Sequence, residues 1–133
     1  MSGATKWMGD KLYFTNLRYC LCLNQEEQDE AFKSLEISSR YNYLEEGMSG
    51  ICTMFTAPNG VKRVIVCINE ELNEGLEIAT TLVHEGVHVW QHIRDDIGEV
   101  DPSAEFEAYT IDTIFSDLAQ AYKEKVFKDN YVT

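Results

Sequence analysis

Proline is nearly missing from this chain, with two among 133 residues. No stretch rich in glycine, serine or proline marks a linker, and there is neither an internal repeat nor a low-complexity tract. A single domain spanning residues 1–133 is therefore expected. Basic residues are also scarce, 11 Lys and Arg against 23 Asp and Glu, for a formal net charge of −12. Binding to a nucleic-acid backbone relies on Lys and Arg displacing counterions, so no nucleic-acid partner is expected. The acidic residues are spread through Glu26 to Glu30, Glu45-Glu46, Glu70 to Glu77 and Asp95 to Asp101 rather than gathered in a tail. That spread serves solubility, and it leaves room for a basic partner or substrate.

Long apolar runs are absent too. Nothing approaches the ~20 apolar residues that span a bilayer, and Met1 to Asp10 contain no apolar core of a signal peptide. The expectation is a cytoplasmic protein with no membrane partner. Under that expectation Cys20, Cys22, Cys52 and Cys67 read as reduced thiols, the first two standing too close in sequence for an easy mutual bridge. Apolar residues at 44% and charged residues at 26% are ordinary for a folded protein.

Alternation of Leu17, Tyr19, Leu21 and Leu23 with Arg18, Cys20 and Cys22 fits a short strand, although Tyr13, Leu17 and Leu21 also fit a helical spacing. Asn24 and Glu27 have the spacing of a capping box and open a helix over about 25–37, with Ala31, Phe32 and Leu35 as its apolar stripe. Residues 50–69 read as a β-hairpin: Ile51 to Ala57, the turn Pro58-Asn59-Gly60, then Val61 to Ile68. The second arm is apolar on both faces near Val64 to Ile68, so it should be covered on each side, one side by a helix.

From about Asn73 to Asp96 the apolar positions surround almost the whole helical circumference, which predicts a core helix. Gly98 is its stop signal. Asp101-Pro102 offers a cap and a proline suited to a first turn. A last helix follows from Ser103 to about Lys125, its buried stripe Ala104, Ala108, Ile111, Phe115, Leu118 and Tyr122. Lys123, Lys125 and Lys128 favour the helix dipole near its end.

The central helix contains His84-Glu85-Gly86-Val87-His88, the pattern HExxH. Residues four apart share a helical face, so both imidazoles can reach one cation at about 2.0–2.1 Å, while Glu85 beside them is free to act as general base toward water. Average residue usage produces this pattern by chance in roughly one chain of this length in a few hundred. Histidine within an apolar helix also demands a partner, because an unsatisfied buried polar group costs about 1–3 kcal/mol. His92 continues the spacing but stands about 12 Å from His84 along the axis, too far to share the ion. Gly86, unfavourable in a helix, suggests a close approach by another group.

A catalytic zinc takes three protein ligands. Glu105-Phe106-Glu107-Ala108 lies downstream on the final helix. Together with HExxH, this segment resembles the gluzincin-type zinc metallopeptidases, whose second motif, ExxA or ExxxD, carries a glutamate ligand. The likeness runs from Asn73 to about Tyr122 and is closest to short single-domain versions from bacteria and their phages. It implies an α+β, zincin-like fold, with a small, mostly antiparallel sheet packed on the HExxH helix and the following C-terminal helix. It also implies Zn2+ on His84, His88 and Glu105, with Glu107 as the other carboxylate in question, and Glu85 as the catalytic base.

Many of those enzymes have an aspartate four residues after the ligand. Tyr109 stands there in this chain, and Asp112 is a substitute for orienting a histidine. Tyr109, Tyr122 and His92 are candidates for stabilising an oxyanion. The resemblance further implies a peptide or protein substrate lying along the strand before the active-site helix, Val61 to Ile68. The alternative is an acidic interaction or inhibitor protein whose zinc is a structural staple, which Cys67 or the Cys20/Cys22 pair beside the imidazoles would favour. A deformylase is disfavoured, since Val66-Cys67-Ile68-Asn69 lacks the expected glycine-cysteine motif.

Overall fold

Strand residues alternate between two faces of a sheet, and in this protein each face receives its own helical cover. The computed structural model describes residues 4–127. In chain order these form β1 (Arg18–Cys22), α1 (Gln25–Ser34), β2 (Gly50–Thr56), β3 (Lys62–Ile68), α2 (Gly75–Ile97) and α3 (Ala104–Val126). Among the described residues the architecture is α+β, with three helices and one three-stranded sheet. Lys128 lies outside the described residues.

The sheet order is β1-β3-β2. The hairpin pairs β2 with β3 antiparallel, as its turn signal requires, from Gly50↔Ile68 to Thr56↔Lys62. The expected mostly antiparallel sheet is instead mixed. β1 lies parallel to β3, from Arg18↔Arg63 to Cys22↔Cys67. A parallel neighbour needs a long crossover, which α1 and the segment after it supply. In consequence β3 is the central strand, and Val61 to Ile68 cannot be the free edge along which a substrate pairs. The outer side of β1 carries a bridge to Met8, and β2 forms the opposite edge.

On one face Tyr19, Leu21, Val64, Val66 and Ile68 pack with Leu82, Val89, Trp90 and Ile93 of α2 and with Ile114 and Leu118 of α3. On the other Cys20, Cys22, Ile65 and Cys67 meet Ala31, Phe32 and Leu35 at α1. Cover on both faces explains why β3 is buried from Val64 through Ile68. Among the described residues no helix is long and apolar enough to cross a membrane.

Local capping fixes the helix ends. Asn24 Oδ1 accepts the Glu27 N–H at 2.9 Å, and Glu27 Oε1 accepts the Leu23 N–H at 2.8 Å. α1 stops at Ser34, short of the expected Ile37, because Glu36 turns left-handed at φ 59°. The Ile37 N–H then closes on Phe32 O and the Glu36 N–H on Lys33 O, the six-to-one and five-to-two bonds that end a helix. Gly98, at φ 75°, ends α2 as the sequence signalled. α3 begins one residue later than expected. Its cap is Ser103, whose Oγ accepts the Phe106 N–H at 3.2 Å, and not Asp101.

Two burial expectations change. α2 is not buried all round: Leu76 is 73% exposed and Val83 45%, because the sheet and α3 together cover only part of its circumference. On α3 the buried line is Thr110, Ile114, Leu118, Ala121 and Tyr122, while Ala104 and Ala108 face outward. That line meets α2 at Gly86. A Cβ built on Gly86 would stand 3.6 Å from Ile114 Cγ2 and 3.6 Å from Leu118 Cδ1, ordinary contact distances.

Gly86→Ala should therefore fill free space and gain helix propensity. Urea unfolding is expected to show a stabilisation of about 0.5–1 kcal/mol. A loss of similar size would show that the two helices pack more closely at this point.

Candidate metal centre

Successive helical residues are separated by about 100°, so His84 and Glu85 on α2 must face different surroundings. The two imidazoles, four residues apart, emerge on the outward side of the helix. His84 is exposed and His88 half-buried. Glu85 turns into the seam between α2 and the sheet and is only 4% exposed. His84 and His88 thus come together, and Glu85 is carried to the strand side of the same turn.

The rings of His84 and His88 meet edge to face, with centroids 4.8 Å apart and planes inclined at 81°. Their Nε2 atoms are 3.2 Å apart. His88 Nδ1 lies 2.8 Å from Gln91 Oε1. An amide oxygen only accepts, so Nδ1–H donates this bond, and Nε2, which faces His84, is the nitrogen open to a cation. With ligand bonds of about 2.0–2.1 Å, a nitrogen separation of this size corresponds to an angle at a shared ion of roughly 100–105°, close to tetrahedral. The imidazole pair therefore fits two places of a zinc site.

Gln91 was not identified from the sequence. Its signal was present: position i+3 from His88 lies on the same face, one turn further along. It performs the orienting task considered above for Asp112, which is exposed.

Glu85 is held against β2. A Cβ on Gly50 would lie 2.9 Å from Glu85 Oε2, 3.1 Å from Cys67 O and 3.2 Å from Thr81 Cγ2. Glycine at the start of β2 thus makes room for the carboxylate beside the strand. Burial pushes the Glu85 carboxyl above its ordinary range, opposed by the nearby His84 and His88. Cys52, two residues along β2, has its thiol pushed up by burial and by the charge of Glu85.

Neither carboxylate expected to complete a ligand set joins the pair. Glu105 is exposed on the first turn of α3. Glu107 accepts the Trp90 indole N–H at 2.7 Å, and Phe106 stacks edge-on to the same indole. Trp90, Gly86 and Ile93 form the side of α2 that meets α3, away from the imidazoles. Among the described residues, no three His, Cys, Asp or Glu side chains gather closely enough to hold a metal ion. Of the oxyanion candidates, Tyr122 is buried in the core and Tyr109 is 75% exposed. His92 is half-buried.

Three of the four thiols lie elsewhere. All four cysteines are free. Cys20, Cys22 and Cys67 occupy the α1 face of the sheet, across the strands from the α2 residues. They form no cluster with the imidazoles.

A buried carboxyl with a raised pKa stabilises the fold below the unfolded-state pKa, and that contribution disappears as pH rises through the folded-state value. Near neutrality its charge is a cost that glutamine does not carry. Metal-free Glu85→Gln should melt higher than wild type at about pH 7, by a few degrees, and the gap should close toward about pH 4. A pH-independent gap would contradict the burial of this charge. Comparison with protein-family models, with curated proteins and with solved structures gave no match to this chain.

Proposed function

We propose that the protein is a metal-dependent hydrolase, most simply a zinc metallopeptidase, in which His84 and His88 grip the ion and Glu85 handles the proton of the attacking water. The observation that carries this reading is the 3.2 Å approach of the two Nε2 atoms, one of them left open to a cation by Gln91. Without an ion, a shared imidazole proton is the simplest occupant of that gap. A divalent ion at the same place would supply Lewis acidity toward water and toward a carbonyl oxygen.

The protein's own groups account for the remaining chemistry. Glu85 has a carboxylate whose burial raises its affinity for a proton, which suits a group that takes a proton from water and returns it to a leaving amine. β2 is the sheet edge beside it, and Gly50 keeps that part of the strand narrow. An extended peptide is proposed to lie along β2, in place of the role the resemblance gave to Val61 to Ile68, because peptide backbone can pair only with an open edge.

Glu105 is proposed as the third ligand. Of the two carboxylates on the first turn of α3, it is the exposed one, whereas Glu107 is engaged by Trp90. Loading must bring this carboxylate to the imidazoles. The alternative of a structural staple in an acidic interaction protein draws no support from Cys20, Cys22 and Cys67, which lie on the opposite face of the sheet.

Metal analysis and peptide hydrolysis of variants test the reading together. Wild-type protein is expected to hold one zinc per chain, His84→Ala and His88→Ala to lose it, and Glu85→Gln to keep it while hydrolysis falls by about 10²–10⁴-fold. Full hydrolysis by zinc-loaded Glu85→Gln, or unchanged zinc content in His88→Ala, would refute the assignment. For the third ligand, Glu105→Ala should release zinc and Glu107→Ala should retain it. The reverse pattern would transfer that role to Glu107.

A further inference from the structure

Arg18 and Arg63 stand directly opposite each other on the parallel strands β1 and β3. Both belong to the α1 face, since their neighbours Tyr19 and Val64 point to the other. Like charges opposed across adjacent strands destabilise a sheet, and in a chain of net charge −12 there is ample carboxylate to neutralise them. The fold nevertheless keeps the pair together. Arg18 Nη1 donates to Thr15 O at 2.9 Å and to Leu17 O at 2.8 Å, and Arg63 Nη1 donates to Asn16 O at 3.2 Å and to Lys62 O at 2.9 Å. These main-chain acceptors fix both guanidinium groups without neutralising them.

The two arginines open into a groove of about 620 Å³, lined also by Asn16, Asn59, Lys62 and Asp96. Lys62 pairs with Asp96 at 3.2 Å. Arg18 reaches Asp10 at 3.3 Å, but that aspartate side chain is 91% exposed, and such a pair contributes little. Arg63 has no carboxylate partner among the described residues. Its guanidinium rests 6.0 Å from the Trp7 ring centroid, and only its Nη1 is committed to main-chain oxygens. Burial, and then the charge of Arg18, make its positive state harder to maintain.

We propose that this groove is an oxyanion site that takes a phosphate group, either as the free ion or as a monoester, with Arg63 as its main ligand and Arg18 and Lys62 as flanking cations. Three cations against one lining carboxylate match a dianion better than a monoanion, and the free edge of a guanidinium suits paired phosphate oxygens. The site is separate from the imidazole pair. Asp96, at its rim, lies eight residues beyond His88 on α2, about 12 Å along the axis.

Calorimetric titration of the full chain with inorganic phosphate, glycerol phosphate and acetate tests this, with ionic strength held constant by sodium chloride. Saturable binding of one phosphate per chain is expected, with glycerol phosphate competing and acetate at least about tenfold weaker. Whichever of the two phosphates binds more tightly identifies the source of the group. Arg63→Gln should weaken phosphate by about tenfold or more, and the exposed Lys62→Gln, which leaves the guanidinium pair in place, by a few-fold. No saturable binding by wild type, equal binding of acetate, or unchanged affinity in both variants would overturn the proposal.

Discussion

The approach of two imidazole nitrogens across one helical turn is the contact on which the proposed function rests. It follows from α-helix geometry, but geometry alone does not aim the rings. Gln91 does that for His88 by accepting a hydrogen bond from Nδ1–H, leaving the opposite nitrogen to meet His84. The same helix turn sends Glu85 in another direction, into the seam with β2, where glycine at position 50 leaves space for its carboxylate. A buried carboxyl and a pair of imidazoles thus occupy adjacent positions with different surroundings, one enclosed and the other facing outward. Such a division raises the basicity of the carboxylate without burying the imidazoles.

The sheet keeps two chemistries apart. Its α2 face contains the helix with the imidazoles and Glu85, and its α1 face holds three of the four thiols. Burial pushes the Cys20 thiol up, which favours an inert, protonated packing group over a ligand. At the N-terminal ends of the two parallel strands, the α1 face also displays the opposed arginines. Charge is therefore unevenly distributed in a strongly acidic chain, and the local cationic groove would not be anticipated from net charge.

Features dictated by local chemistry were legible in the sequence. The hairpin followed from β-branched runs around Pro58-Asn59-Gly60, the start of α1 from Asn24 and Glu27, and the end of α2 from Gly98, each requiring only neighbouring residues. The parallel pairing of β1 with β3 was not legible, because it joins segments more than 40 residues apart and leaves no local mark. That missing pairing also misplaced the sheet edge at Val61 to Ile68. Apolar residues all around α2 suggested complete burial, yet Leu76 and Val83 remain in solvent; periodicity shows which faces can be covered, not how much cover is available. At the site, the HExxH spacing indicated the imidazole pair, whereas the support from Gln91 and the room left by Gly50 depend on side-chain direction and strand position. Glu105 fits the ExxA motif, but α3 packs on the Gly86 side of α2, and no third donor gathers at the imidazoles among the described residues.

Long-range proton–nitrogen NMR of the imidazole nitrogens during zinc titration addresses the central contact most directly. Before zinc, His88 should show a protonated Nδ1 and an unprotonated Nε2. The Nε2 signals of His84 and His88 should then move together and saturate at one ion per chain, with His92 unchanged. If the two residues respond independently, or only His92 responds, the imidazoles do not share an ion and the account fails.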